Sequence, residues 1–239
     1  MTEFLYQTDS YTREFDAKIT SVLSAERAVV LDRTAFYPGG GGQPCDFGIL
    51  TVDSVTYPVS KVKKQGDDIL HFLGGDTPLP AEGASAGGTL DWARRYKLMR
   101  THTALHILCG TVFRDYGALV TGGEMEPGKG RLDFEFETMR GELVREIEAA
   151  INKEAARGRE IRVQILPREE AFQIPDLIRT KINLLPPGIT HVRTVEIVGL
   201  DLQADGGTHV HNTSEVGTIR VADYKSKGAI NKRIYIAIE

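Results

Sequence analysis

Two histidines, His102 and His106, lie four residues apart in a segment with helical character. At about 3.6 residues per turn, this spacing places both imidazoles on one face of a helix, one above the other. Two neutral imidazoles in that arrangement can bind one zinc ion. Pairs at this spacing also occur by chance, and the glutamate of the zincin motif is missing after His102. The pair alone therefore leaves a metal site and a chance pairing both open.

A second pair of candidate ligands, Asp205 and His209, lies much later in the chain. Gly206 and Gly207 separate them, which is typical of a turn rather than a helix. A tight glycine turn can bring a carboxylate and an imidazole towards one point. With the two helix histidines they would form a mixed nitrogen and oxygen shell, which zinc accepts. The alternative is a hairpin turn with both side chains in solvent.

Three motifs in order resemble a known family. They are Thr34-Ala-Phe-Tyr-Pro-Gly-Gly-Gly-Gly-Gln-Pro-Cys-Asp-Phe-Gly, Met99-Arg-Thr-His-Thr-Ala-Leu-His-Ile-Leu and Asp205-Gly-Gly-Thr-His-Val followed by Asn-Thr-Ser-Glu-Val-Gly. Their order and spacing resemble the editing domain of alanyl-tRNA synthetase. They are more similar to the free-standing AlaX proteins, in particular to the larger class that carries the glycine-rich motif. The resemblance runs from about residue 34 to the C-terminus.

The resemblance implies an activity and a metal site. AlaX proteins remove a wrongly attached amino acid, chiefly serine, from alanine tRNA. We therefore expect a trans-editing hydrolase that deacylates tRNA(Ala) charged with serine or glycine, with zinc held by His102, His106, His209 and Asp205. The family's usual motif is Cys-Gly-Gly-x-His, and Asp205 stands at the Cys position. Asp205 either ligates the ion or holds a bound water beside a three-histidine site.

The glycine-rich motif is expected to contribute to substrate binding. It lacks the Gly-Lys-Ser or Gly-Lys-Thr ending of a P-loop, which excludes a nucleotide triphosphate site of that kind. The resemblance implies that the loop reaches the editing pocket and that Thr34 recognises the serine hydroxyl. It also implies that Gly41, Gly42 and Gln43 bind substrate. On residue type alone, Thr34 is an ordinary strand residue.

The expected chemistry is hydrolysis of the ester between the aminoacyl group and the terminal ribose. A zinc-bound water is the expected nucleophile or, alternatively, zinc orients the substrate towards a separate water. Gln43, Gln203 and Thr208 are candidates for assisting that water. Two alternatives stay open: a zinc-containing tRNA- or protein-binding module without hydrolysis, and a related zinc editing hydrolase acting on another aminoacyl-tRNA, for example esters of threonine tRNA.

The hydrophobic pattern predicts an α+β fold with two domains. Residues 1–90 read as short strands of a small β-barrel, with an apolar run at 28–31, strands within 49–62 and a hairpin turn at 66–68. The segment 74–88 is interpreted as a barrel connection or the approach to a domain boundary. Residues 91–239 are predicted to form an antiparallel sheet packed on helices.

The pattern also predicts particular elements of this second domain. Asp91 and Gly117 are the expected cap and stop of a helix over 92–116. Further predicted elements are helices at 138–157, 167–172 and 175–185, and strands at 131–137, 161–165, 192–198, 216–224 and 233–238.

Composition restricts the setting. A net charge of −4 does not by itself indicate a nucleic-acid binder, so the tRNA partner comes from the resemblance. The basic cluster Arg94, Arg95, Lys97 and Arg100 is interpreted as a solvated face. With two cysteines, Cys45 and Cys109, a disulfide framework is not expected, and Cys109 is interpreted as a buried thiol or a rival ligand.

The setting that we expect is the cytoplasm. The sequence contains no apolar run long enough to cross a bilayer, and its start lacks the pattern of a signal peptide. We therefore expect a cytoplasmic protein without a membrane partner. The sequence leaves a monomer and a homodimer open.

Overall fold

The computed structural model describes residues 2–178, 180, 185 and 188–239. The chain divides into two compact units, Met1–Lys97 and Leu98–Glu239. The division falls within the first α-helix. The predicted division into domains of residues 1–90 and 91–239 stays a prediction.

The first unit is built from short strands. The strands described in this unit are β1 (Glu3–Phe4), β2 (Glu14–Leu23), β3 (Ala28–Leu31), β4 (Arg33–Thr34), β5 (Gly48–Val52), β6 (Val55–Gln65), β7 (Asp68–Leu73) and β8 (Ser85–Leu90). Six of them form a closed, entirely antiparallel barrel, with strand order β2-β3-β7-β6-β5-β8. The other two described strands, β1 and β4, pair in parallel. Single 3-10 turns occur at Leu5–Gln7 and Ser24–Glu26.

Alternate residues of the barrel strands fill its interior, as the period of two in a strand requires. Ile19, Leu31, Leu50 and Val59 are all almost fully buried there. A tight turn at Asp53 and Ser54, both of which have positive φ angles, joins β5 to β6.

Two barrel strands differ from the sequence interpretation. β2 was not predicted, and β8 lies within the segment interpreted as a connection. The pattern of β8 is hidden by its glycines. A Cβ on Gly88 would lie 2.4 Å from the ring of Phe15, so the strand needs a glycine where the aromatic side chain covers it.

The second unit combines two antiparallel sheets with helices, which confirms the α+β class. The described elements are α1 (Trp92–Tyr116), β9 (Val120–Glu126), β10 (Lys129–Glu135), α2 (Gly141–Ala156), β11 (Ile161–Pro167), α3 (Arg168–Ala171), β12 (His191–Ile197), β13 (Asp201–Ala204), a 3-10 turn (Thr213–Val216), β14 (Ile219–Ser226) and β15 (Asn231–Ile238). The strand orders of the two sheets are β14-β15-β10-β9 and β11-β12-β13.

Helix α1 has the predicted limits. The Asp91 carboxylate accepts a hydrogen bond from the main-chain N of Arg94, at 3.1 Å, and Gly117 ends the helix with φ of 66°. Residues 101–112 are buried on every side of the helix, which places both of its histidines in the interior.

One predicted helix is not observed where the chain is described. Residues 175–178 form a turn and irregular structure, and the rest of the predicted helix 175–185 lies outside the described residues, apart from Thr180 and Leu185. Among the described residues, no helix is long and apolar enough to cross a membrane.

Candidate metal centre

Four side chains from two distant parts of the second unit meet at one point. His102 and His106 come from α1, and Asp205 and His209 come from the loop after β13. One donor atom from each of the four lies within 4.8 Å of the donor atoms of the others. A group so placed could hold a single metal ion. The structure thus brings together all four residues that the sequence predicted as ligands.

The three imidazoles pack closely around one another. His102 and His209 stack, with ring centroids 4.2 Å apart and planes at 27°. The His106 ring meets each of them edge-on, at 5.0 Å from His102 and 4.7 Å from His209. All three side chains are buried. Water therefore has little access to the rings, which pack closely against one another.

The glycine turn forms the carboxylate side of the cluster. The Gly207 main-chain N donates to Asp205 Oδ2 at 2.8 Å, which folds the turn around the aspartate. The same oxygen lies 3.1 Å from His209 Nε2, while Oδ1 lies 3.6 Å from His102 Nε2. The Arg193 guanidinium approaches Asp205 from outside, 3.7 Å from Oδ2. Asp205 is half-buried, and its carboxylate lies among potential cations rather than in bulk solvent.

Outer partners fix the orientation of two of the rings. His106 Nδ1 lies 3.0 Å from the carboxylate oxygen Oδ2 of Asp201, and His209 Nδ1 lies 3.1 Å from the hydroxyl of Thr103. A metal-binding histidine commonly presents one ring nitrogen to the ion and donates a hydrogen bond from the other. Both rings therefore leave Nε2 for the centre of the cluster.

Burial and charge set the protonation of the cluster. Burial lowers the pKa of His102 well below its usual value and that of His209 to about 4, so both rings are neutral near pH 7. Burial also acts against a charge on His106, but the hydrogen bond and charge of Asp201 outweigh it and raise the pKa of that ring. For Asp205, the neighbouring histidines overcome burial and hold the pKa well below its usual value. An ionised carboxylate beside neutral imidazoles suits a divalent cation.

The remaining candidates of the second unit lie near the cluster. The Gln203 amide nitrogen donates to Asp201 Oδ2, at 2.6 Å, and to the Cys109 sulfur, at 3.3 Å. Cys109 is a buried thiol and does not belong to the four-residue group. Thr208 is fully buried. Asp201 was not singled out from the sequence, because it belongs to no motif.

In the first unit, Thr34 is part of a buried polar pair. Its hydroxyl lies 2.8 Å from His71 Nε2, and the ring's Nδ1 lies 3.3 Å from the main-chain oxygen of Val29. Because that carbonyl only accepts, Nδ1 carries the proton and Thr34 donates to Nε2. The Phe36 main-chain N donates to the same hydroxyl at 3.1 Å. Thr34 is thus anchored within its own unit, with its side chain fully buried.

The glycine loop, residues 37–46, is closed by its own main chain. Gly40 and Gln43 exchange two main-chain hydrogen bonds, of 3.0 and 2.9 Å. Four consecutive glycines, at positions 39 to 42, all have positive φ angles, which residues other than glycine rarely adopt. Gly41 and Gly42 are exposed at the tip, whereas the Gln43 side chain is buried.

The interpretation of the basic cluster around residue 95 was wrong for Arg95. Its side chain is fully buried and pairs with Asp46 at the base of the glycine loop. It also donates to the main-chain oxygens of Ser10 and Ala35. A buried arginine is tolerated when a carboxylate and carbonyls satisfy its donors, and these partners are far from it in sequence.

Comparison with known proteins first gives the class. Residues 192–235 match the family described as the second additional domain of threonyl and alanyl tRNA synthetases, and residues 7–94 match the class II (A) tRNA synthetases. Asp205 and His209 of the cluster therefore lie in a segment that is similar to a domain of the alanine and threonine synthetases.

Longer matches define the family. The chain is 40% identical to the alanyl-tRNA editing protein AlaX-M of Saccharolobus solfataricus over the full length of both, and 36% identical to that of Methanosarcina mazei over all of this chain and 97% of the relative. The alanine–tRNA ligase of Ignicoccus hospitalis is 39% identical over 92% of this chain, which corresponds to 24% of the ligase. The chain belongs to the AlaX-M family of alanyl-tRNA editing proteins.

Proposed function

We propose that the protein is a trans-editing hydrolase that removes serine from misacylated tRNA(Ala) by zinc-assisted ester hydrolysis. The observation that carries the proposal is the convergence of His102, His106, Asp205 and His209 within 4.8 Å. The names of the AlaX-M relatives support tRNA(Ala) as the partner. No ATP is needed, because hydrolysis of an aminoacyl ester is favourable on its own.

Zinc fits the donor set. Three imidazoles and one carboxylate are ligands that zinc accepts, and two of the imidazoles are neutral near pH 7. Asp205 Oδ2 accepts from the Gly207 main-chain N, so Oδ1 is the oxygen that we expect to face the ion, directly or through water. When bound, zinc would lower the pKa of a water towards about 7 or polarise the ester carbonyl.

Residues of the chain itself would position the reacting groups and shield them from bulk water. Burial of the three imidazoles keeps bulk water from the cluster, which strengthens electrostatic interactions there. Gln43 and Thr208 are our candidates for positioning the attacking water. The Gln203 amide nitrogen is already bonded to Asp201 and Cys109, so its carbonyl oxygen is the atom that would serve in this role.

Selectivity for serine would come from a hydrogen bond to its hydroxyl. A site that pairs with this hydroxyl discriminates strongly against alanine, because alanine leaves a buried polar group unpaired. We assign this contact to Thr34. Its oxygen uses one lone pair to accept from Phe36 N, and the second can accept from serine. Because the Thr34 side chain is fully buried, serine can reach it only if the protein opens beside it. We assign that opening to Gly41, Gly42 and Gln43. We also assign further substrate contacts to these three residues.

A deacylation assay tests the proposal. Seryl-, glycyl- and alanyl-tRNA(Ala) are incubated with the protein, with chelator, and with chelator followed by excess zinc. Zinc-dependent release of serine, and more slowly of alanine, supports trans-editing. Binding of tRNA(Ala) without turnover would instead support a zinc-containing binding module, and turnover confined to another aminoacyl-tRNA would support a different editing substrate. We propose the cytoplasm as the setting, because the proposed substrate is a tRNA. Light scattering would separately measure whether the protein is a monomer or a homodimer.

A further inference from the structure

Asp201 is a buried carboxylate next to, but outside, the four-residue cluster. Its side chain is fully buried, and its Oδ2 lies 3.0 Å from His106 Nδ1. A carboxylate can only accept, so the proton of this hydrogen bond belongs to His106. The bond therefore selects the tautomer of His106 that carries hydrogen on Nδ1 and a lone pair on Nε2.

The surrounding residues hold Asp201 in this position. The Gln203 amide nitrogen donates to the same Oδ2 at 2.6 Å, from the same strand β13. Gly110, one turn of α1 beyond His106, lets the start of β13 lie against the helix. A Cβ at Gly110 would come within 2.8 Å of the Asp201 Cβ and 3.0 Å of the Leu200 main-chain oxygen. The glycine thus permits the close approach that brings carboxylate and imidazole together.

A buried carboxylate is costly in a protein interior unless its bonds repay the lost hydration. Asp201 receives two hydrogen bonds on one oxygen, and one of them comes from a candidate ligand. Carboxylate partners of metal-binding histidines orient the ring and make its other nitrogen a stronger ligand. Asp201 and Gln203 match that arrangement.

We propose that Asp201 is the positioning residue that directs His106 Nε2 to the metal. The hydrogen bond from Gln203 holds the Asp201 carboxylate in place, and Gly110 leaves room for Asp201 beside α1. This inference rests on the proposed metal site and adds a residue that does not touch the ion. Asp201 acts through His106, with which it shares the hydrogen bond at Nδ1.

The first test measures zinc affinity by competition with a chromophoric chelator. Asp201→Ala is expected to weaken zinc binding by about 10- to 100-fold, and Asp201→Asn, which keeps an acceptor oxygen, by less. The matched control is Glu154→Gln. Glu154 is another buried carboxylate of the second unit, and it pairs with Arg114 and Arg159. Its variant should bind zinc as the parent does. Equal affinity of the parent and Asp201→Ala would overturn the proposal.

A second measurement needs no variant. In the zinc-loaded parent protein labelled with ¹⁵N, long-range ¹H–¹⁵N spectra give the tautomer of each histidine ring. We expect His106 to carry its proton on Nδ1 and to bind through Nε2. A His106 ring protonated on Nε2 would contradict the proposal even if every Asp201 variant failed to fold.

Failure of this inference is distinguishable from failure of the proposed function. A parent protein that binds no zinc removes the metal site itself. If the parent binds zinc and Asp201→Ala binds it with the same affinity, only the role of Asp201 is ruled out. Zinc binding that depends on Asp201, without release of serine from tRNA(Ala), removes the editing activity and leaves the role of Asp201 in place.

Discussion

The rings of His102 and His209 stack with centroids 4.2 Å apart, although the two residues belong to a helix and to a distant glycine turn. Two imidazoles so close cannot both be positively charged at low cost, because like charges repel strongly in a buried site. Their lone pairs and the Asp205 carboxylate form a group that could hold one cation.

Removal of one ring from this stack should abolish tight zinc binding. His209→Ala is expected to weaken zinc affinity by more than the roughly 10- to 100-fold that outer-shell changes cost, because a ligand itself is lost. His211→Ala is the matched control, since His211 lies two residues further on and is exposed. Zinc content after dialysis checks both variants. Equal zinc content in His209→Ala and the parent would argue against the cluster as the binding site.

Substitution at Asp205 should show whether this position contacts the ion. Asp205→Cys restores the residue of the more common family motif and is expected to retain zinc, because thiolate is a good zinc ligand. With cobalt in place of zinc, this variant should show a thiolate-to-metal charge-transfer band that the parent lacks. Cobalt binding without that band would indicate that position 205 acts through a water.

The Thr34 hydroxyl should contribute to stability as well as selectivity. Thr34→Val leaves the buried Nε2 of His71 without its donor, at a cost of about 1–3 kcal/mol in the free energy of unfolding. Thr34→Ser keeps the hydroxyl and should retain most of that stability. Denaturant unfolding of the three proteins measures the difference.

The same variants separate a structural from a recognition role. If Thr34 contacts serine, folded Thr34→Val loses discrimination between seryl- and alanyl-tRNA(Ala), while Thr34→Ser keeps it. A destabilised Thr34→Val with the selectivity of the parent would assign Thr34 to the barrel alone. The ratio of the two kcat/KM values, taken below the unfolding temperature, is the readout.

The His71 ring should remain neutral far below the pH at which a histidine usually becomes protonated. Its burial lowers the pKa to about 4, whereas the unfolded chain titrates near 6.5. The unfolded state therefore binds more protons between these values. Stability from His71 is fully present above pH 6.5 and is lost as the pH falls towards 4, by up to about 3 kcal/mol.

An NMR titration of the His71 ring measures this directly. The chemical shifts of the His71 ring should stay constant from pH 8 to about 5. A His71 midpoint at or above 6.5 would show that the ring is not held neutral by burial and by its bond from Thr34.

Local signals in the sequence were sufficient for several features. Asp91 and Gly117 defined α1 because a cap and a stop act on their own neighbours. The four candidate ligands were predicted because each pair has its own spacing and because the motifs resemble a family. The antiparallel α+β class followed from short strands joined by turns.

Features that depend on distant partners could not be predicted. Arg95 looked solvated because its partner Asp46 lies in the glycine loop. β8 looked like a connection because Gly88 is explained only by the ring of Phe15 above it. Asp201 is an ordinary acidic residue until the fold places it against His106. In each case the tertiary contact, not the local pattern, determines the role.

The most direct test of the central claim is anomalous diffraction at the zinc edge from crystals of the protein grown with zinc. We expect one strong peak about 2.0–2.1 Å from a ring nitrogen of each of His102, His106 and His209, with Asp205 or its water completing the shell. A protein that takes up no zinc, or a peak that lies away from these three imidazoles, would contradict the account.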